Sequence, residues 1–168
     1  MHEPKGNPRL KPWLDRLLAA GYPYVYPHNI LGDGYLFFHS EKEKQDYINL
    51  MEGVQINSTE YVRNLGHVLG FPTNSISFFT DMWQMEEEGK NVDHLENQTI
   101  GVNMSGIMFS AHIPHLMEDI SWMWQRYNQT EAKQYPTIFD TTDEKTIIKH
   151  GDYTHLEILH QQLEWALW

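Results

Sequence analysis

The sequence predicts an α+β protein: a single domain over residues 1–168, with five or six helices and one or two short antiparallel β-hairpins. Three observations carry that expectation. At 168 residues the chain has the size of one ordinary domain and is long enough to bury a core. Its 40% hydrophobic content, with 6 Trp, 9 Tyr and 7 Phe, is too high for a disordered chain even at a net charge of −11. Apolar residues recur at helical spacing through most of the length, broken by aromatic runs that bracket glycine turns.

The first helix is expected from about Pro8 to Ala20, with Leu10, Trp13, Leu14, Leu17 and Leu18 on one face and Gly21 at the stop. Tyr22–Pro27 and Tyr35–His39 read as strands around the turn Gly32-Asp33-Gly34. Pro23 and Pro27 lack a ladder donor, so the first strand belongs at an edge. Ser40 with Glu43 caps a helix that reaches Met51, and Asn57 with Glu60 reads as a second capping box before Tyr61, Leu65 and Val68. Pro72 opens a helix carrying Ile76, Phe79 and Trp83 that runs into Glu86, Glu87 and Glu88. After a loop holding Asp93 and Glu96, Thr99–Val102 and Ile107–Ala111 form a hairpin around Asn103-Met104-Ser105-Gly106. Pro114 opens a helix whose inward stripe is Leu116, Ile120, Met123 and Tyr127. Residues 129–149 show no clear period. The last helix is expected near Thr154, with Glu157 completing a capping box and Leu156, Leu159, Leu163 and Leu167 facing inward.

The absence of cysteine excludes thiolate catalysis, Cys-ligated zinc, iron–sulfur clusters and disulfides. No Walker A, G-x-G-x-x-G, G-x-S-x-G, H-E-x-x-H or EF-hand pattern is present. The acids are unevenly spread. From Asp81 to Asp119 there are eight acids against one base, Lys90, a field that disfavours direct binding to nucleic acid or an anionic membrane. The unperturbed histidine pKa is near 6.5, and with ten histidines mild acid is expected to remove most of the net charge and lower solubility. The first residues lack the apolar run of a secretory signal and no stretch is long enough to span a bilayer, which sets the expectation of a cytoplasmic protein.

The densest chemistry lies at Ser110–Asp119. At about 100° per residue, His115, Glu118, Asp119 and Trp122 share one arc of a helix, roughly 120° from its inward stripe. Imidazoles and carboxylates on adjacent turns can hold zinc, iron or manganese, so His112, His115 and Asp119 are candidate ligands and Glu118 a candidate base. The same arc suits a protein partner, because an indole among acids covers apolar area while keeping a polar edge. Glu86, Glu87, Glu88, Glu118, Asp119 and Trp122 are the candidate binding surface. A second group, His150, His155, Glu157 and His160, contains the Glu-x-x-His spacing of di-iron bundles, but His155 and His160 lie about 140° apart on a helix and cannot face one ion.

Leu69-Gly70-Phe71-Pro72-Thr73-Asn74-Ser75-Ile76-Ser77-Phe78-Phe79 and Gly106-Ile107-Met108-Phe109-Ser110-Ala111-His112 resemble small uncharacterised accessory proteins of tailed bacteriophages, particularly those infecting cyanobacteria. The resemblance implies an accessory phage protein acting in the host cytoplasm and brings no catalytic residues with it. Some phage proteins with a similar turn place cysteines where Thr73, Asn74 and Ser110 stand here. The leading expectation is a non-enzymatic acidic protein, a monomer or small homo-oligomer, that engages a host or phage protein without a cofactor. A mimic of DNA is one form of it. The alternatives are a Zn-, Fe- or Mn-dependent enzyme with its site at residues 112–119, and a structural virion component.

Overall fold

Stripes of apolar residues become helices where a second element covers them, and alternating runs become strands where a neighbour completes the ladder. The computed structural model describes residues 11–28, 34–141 and 144–167. It shows an α+β protein with eight α-helices and six strands among those residues, the strands forming a two-stranded and a four-stranded antiparallel sheet. Five or six helices were expected. The surplus comes from two single turns, α5 (Asp93–Glu96) and α7 (Thr130–Lys133), too short to display a period. The expected loop at Asp93 and Glu96 is α5.

Backbone contacts divide the chain into two compact units, residues 1–64 and 65–168, with the division falling inside α3 (Thr59–Val68). The first unit holds α1 (Lys11–Ala19), β1 (Tyr24–His28), β2 (Gly34–Phe37) and α2 (Glu41–Met51). None of the residues of α1 is buried, and Trp13 is 63% exposed. Pro8, Leu10 and the turn residues Gly32 and Asp33 lie outside the described residues. The β1–β2 ladder pairs Tyr24 with Phe37 and places Tyr24, Tyr26, Tyr35 and Phe37 ring against ring, Tyr26 stacking on Tyr35 at 4.4 Å. Cross-strand aromatic pairs of this kind supply what an isolated hairpin otherwise lacks. Ser40 caps α2 through the Glu43 N–H at 3.2 Å, while the Glu43 carboxylate accepts from the His39 N–H at 2.9 Å. In α3 the capping oxygen is that of Ser58, which accepts from the Tyr61 N–H at 3.2 Å. Asn57, the expected cap, sits one residue earlier with φ +65°, a left-handed conformation that asparagine tolerates.

The second unit contains α4 (Thr73–Glu87), α5, β3 (Thr99–Met104), β4 (Ile107–His112), a 3-10 turn (Ile113–His115), α6 (Leu116–Arg126), α7, β5 (Thr137–Asp140), β6 (Lys145–Ile148) and α8 (Tyr153–Ala166). Its sheet runs β4-β3-β5-β6. Ser105 and Gly106, with φ +52° and +90°, make the two-residue turn that matches the right-handed twist of β3 and β4. Ile100, Val102, Met104, Ala111 and Phe139 point to one side of the sheet, where they meet Leu116, Ile120, Met123 and Trp124 of α6 and Leu156 and Leu159 of α8. The inward stripes expected for both helices are present, with Tyr127, Leu163 and Leu167 half-buried at their margins. Strands β5 and β6 fall in the stretch that shows no period, because four residues each give only two inward positions. The cap of α8 is Asp152, whose carboxylate accepts from the His155 N–H at 3.2 Å. Thr154 stands inside the first turn, so Glu157 completes no capping box there.

Candidate functional site

The helix α4 begins without a side-chain cap of its own, because Pro72 occupies the N-cap position. Its first-turn donors on Asn74 and Ser75 are satisfied from another element. Asp119, in the first turn of α6, is 2% exposed and accepts hydrogen bonds from the Ser75 hydroxyl, from the Asn74 amide at 3.1 Å and from the Ser75 backbone N–H. The buried carboxylate thus serves as the N-cap of a helix whose own sequence supplies none, with the α4 macrodipole in its favour. Burial raises the Asp119 pKa above its ordinary value, the bonds from Ser75 and Asn74 and the neighbouring His115 working in the opposite direction.

Around this anchor, Asn74 also donates to Glu118 at 3.1 Å, and His115 Nδ1 lies 3.6 Å from the same Glu118 carboxylate. His112 stacks on Phe78 with ring centroids 3.8 Å apart and planes within 10°, its own ring 5.3 Å from that of His115. His112 Nε2 lies 3.2 Å from the Gln98 side-chain oxygen, an acceptor, so Nε2 carries the proton and Nδ1 the lone pair. That Nδ1 is buried with no hydrogen-bond partner. Burial lowers the His112 pKa, and repulsion from His115 lowers it further, so the ring is neutral at pH 7.

The structure therefore brings His112, His115, Glu118 and Asp119 together, as the spacing suggested, and adds Asn74, Ser75, Phe78 and Gln98. The signal for Asn74 and Ser75 was present in the sequence as two capping residues just after a proline. The arrangement is a hydrogen-bonded clamp between α4 and α6. Among the described residues, no group of three His, Asp or Glu side chains is placed to hold a metal ion. Asp119 spends its oxygens on α4, and Ser75, buried and donating to that carboxylate, presents no nucleophile to solvent.

The candidate binding surface divides. Trp122 is 39% exposed beneath the Arg126 guanidinium, 5.1 Å from its ring, and Glu118 is exposed beside it. Asp119, counted with them, lies inside. Glu86, Glu87 and Glu88 are exposed at the far end of α4, about 18 Å from Ser75 at ~1.5 Å per helical residue. Glu88 pairs with Lys90 at 2.6 Å, and Glu87 accepts from the Trp83 indole at 3.1 Å.

The second histidine group disperses. His150 Nε2 donates to the Trp124 carbonyl at 3.1 Å, His155 pairs with Asp152 at 2.7 Å, Glu157 is exposed, and His160 lies 3.6 Å from Glu164. Gln98 connects the clamp to an open cleft of about 790 Å³ lined by His94, Asn97, Pro114, Glu164 and Leu167. No described helix is long and apolar enough to cross a membrane. No protein-family model, curated protein or solved structure matches the chain, so the site rests on its own geometry.

Proposed function

We propose that this chain is a non-enzymatic acidic binding protein, phage-encoded and cytoplasmic, that engages the basic face of a host or phage protein. The observation that carries the reading is the partition of charge. Residues 1–64 hold 7 Lys and Arg against 8 Asp and Glu, whereas residues 65–168 hold 5 against 15, a net −10. Within that unit, Glu86, Glu87 and Glu88 stand exposed at the C-terminal end of α4, where the macrodipole opposes each by about 0.3–1 kcal/mol. Trp122 with Glu118 supplies an aromatic anchor at the other end of the same helix pair. A standard interface covers about 800 Å² per partner, about 28 Å across, which is wide enough to include both ends.

The test is capture of a partner from host lysate, followed by affinity measurements with the purified pair over a salt series. Affinity should fall steeply with salt, drop at least tenfold in Glu86→Lys/Glu87→Lys/Glu88→Lys, and weaken in Trp122→Ala. A flat salt response would overturn the electrostatic reading. Stoichiometric zinc, iron or manganese in protein purified without a His tag, lost in His115→Ala, would replace it with the metal-enzyme reading.

A further inference from the structure

The open cleft beside Gln98, about 790 Å³, lies in the size range of sites that take a small ligand or one long side chain. Its walls are of two kinds. Pro114, Ala166 and Leu167 form an apolar side, and Asn97, Gln98 and Glu164 a polar one. Gln98 is fixed in place, its side-chain oxygen 3.2 Å from His112 Nε2 and its amide donating to the His94 carbonyl at 3.2 Å. Glu164 has no such tie. Its side chain is 49% exposed, and the nearest charged or titratable group, His160 Nε2, stands 3.6 Å away without a hydrogen-bond partner.

The charge at this end of α8 selects the ligand. The last turn of α8 holds no basic residue, so the negative pole of the helix dipole and the Glu164 carboxylate stand together without a compensating cation. Each repels the other, and both attract a positive group. The net −10 of the surrounding unit adds attraction of the same sign. No three His, Asp or Glu side chains among the described residues are placed to hold a metal ion, which favours an organic cation. An apolar wall beside the carboxylate suits a cation on an aliphatic stem. Of the two such side chains, arginine matches the acceptors: its planar fork bonds both oxygens of a carboxylate and leaves further donors for the Asn97 oxygen.

We propose that this cleft receives an arginine side chain of the basic protein partner, its stem along Pro114 and Leu167 and its guanidinium between Glu164 and Asn97. The source of the arginine rests on the function proposed above, whereas the fit of a guanidinium to the cleft does not. Glu164 is then the specificity-determining residue of a contact separate from Glu86, Glu87 and Glu88. The contact also gives a use to an acid that opposes the dipole of the helix carrying it. A single arginine holds weakly, with half-saturation at about a millimolar or above, because one side chain realises few of the contacts of a whole interface.

The experiment is an NMR titration of the full chain at pH 7.5 with acetyl-arginine amide, and with acetyl-citrulline amide, in which a neutral urea replaces the guanidinium. The arginine probe should give saturable shifts at the Asn97 and Gln98 side-chain amides and the Leu167 methyls, and the citrulline probe none. Binding should weaken at least fivefold in Glu164→Gln, and it should tighten at least twofold in Asn97→Asp, a gain that a misfolded variant would not show. Shifts that never saturate, that centre on Glu86–Glu88 or Trp122, or that citrulline reproduces would overturn the proposal. Equal binding by wild type and Glu164→Gln would do the same, and an unchanged Asn97→Asp would overturn the placement of the guanidinium. The two readings fail separately. Saturable arginine binding at the cleft with no partner captured from lysate sinks the proposed function and leaves the cleft. A captured partner that binds wild type and Glu164→Gln alike sinks the cleft and leaves the function.

Discussion

The Asp119 carboxylate of α6 caps α4 through the hydroxyl and backbone N–H of Ser75, 44 residues earlier in the chain. Its removal takes away a helix cap and strands two buried donors at once. Asp119→Ala should destabilise the protein by about 2–4 kcal/mol, from ~1 for the cap and 1–3 for the unmade bonds. Urea unfolding would measure it, with the Ser75→Ala cost overlapping rather than adding in a double-mutant cycle. Additive losses would mean that the two side chains act independently.

The titrating groups of this unit set opposite pH dependences. Burial holds His112 and His150 below their ordinary pKa of 6.5 in the folded protein, with His115 and Lys133 respectively adding repulsion. Below about pH 6.5 the unfolded chain therefore takes up more protons than the folded one, and stability falls as pH falls. Asp119 has the reverse sign: its raised folded pKa gives a contribution present at acid pH and lost as pH rises through that value. Melting temperature should decline from about pH 7 to about pH 5, and the decline should shrink in His150→Gln. A wild-type profile flat over that range would contradict the assignment.

Trp124 and Thr137 fasten α6 to β5 through an indole N–H to hydroxyl bond of 2.9 Å, both residues being buried. Thr137→Val keeps the shape and removes the acceptor, leaving a buried donor unpaired at a cost of about 1–3 kcal/mol. Thr137→Ser keeps the acceptor and gives up one methyl, a loss of roughly 1 kcal/mol. Chemical denaturation should place the valine variant below the serine variant. The opposite order would show that packing outweighs the bond.

Gly70 ends α3 with φ +75°, and a Cβ there would stand 2.4 Å from the Tyr127 hydroxyl oxygen but 3.7 Å from the ring carbon that bears it. Gly70→Ala should cost about 2–5 kcal/mol, combining left-handed strain of roughly 1–2 with overpacking of about 1–3. In the background of Tyr127→Phe the overpacking disappears and the strain remains, so the double variant should recover at least 1 kcal/mol relative to additivity. Full additivity by thermal or urea unfolding would remove the proposed clash.

Much of the second unit is legible along the chain. The stripe Leu116, Ile120, Met123 predicts which side of α6 is buried, and Ser105-Gly106 predicts the hairpin. The strands β5 and β6 are not legible. Thr137–Asp140 pairs with β3 and Lys145–Ile148 with β5, and those partners, rather than the short runs themselves, make them strands. The four residues of the clamp first suggested by spacing are together, yet Asp119 lies inside rather than on the surface, because the uncapped end of α4 arrives over it.

The sequence by itself determined the α+β class, the cysteine-free chemistry, the helix stripes and the concentration of negative charge between Asp81 and Asp119, since these depend on composition and local period alone. Only the tertiary structure decided that Asp119 is a cap, that His112 is a stacked neutral ring, and that Glu164 shares one cleft with Asn97 and Pro114. Each of those depends on which residues distant in the chain become neighbours. A helical period fixes the direction of a side chain, but the element it meets decides whether its charge faces water or a hydrogen-bond donor.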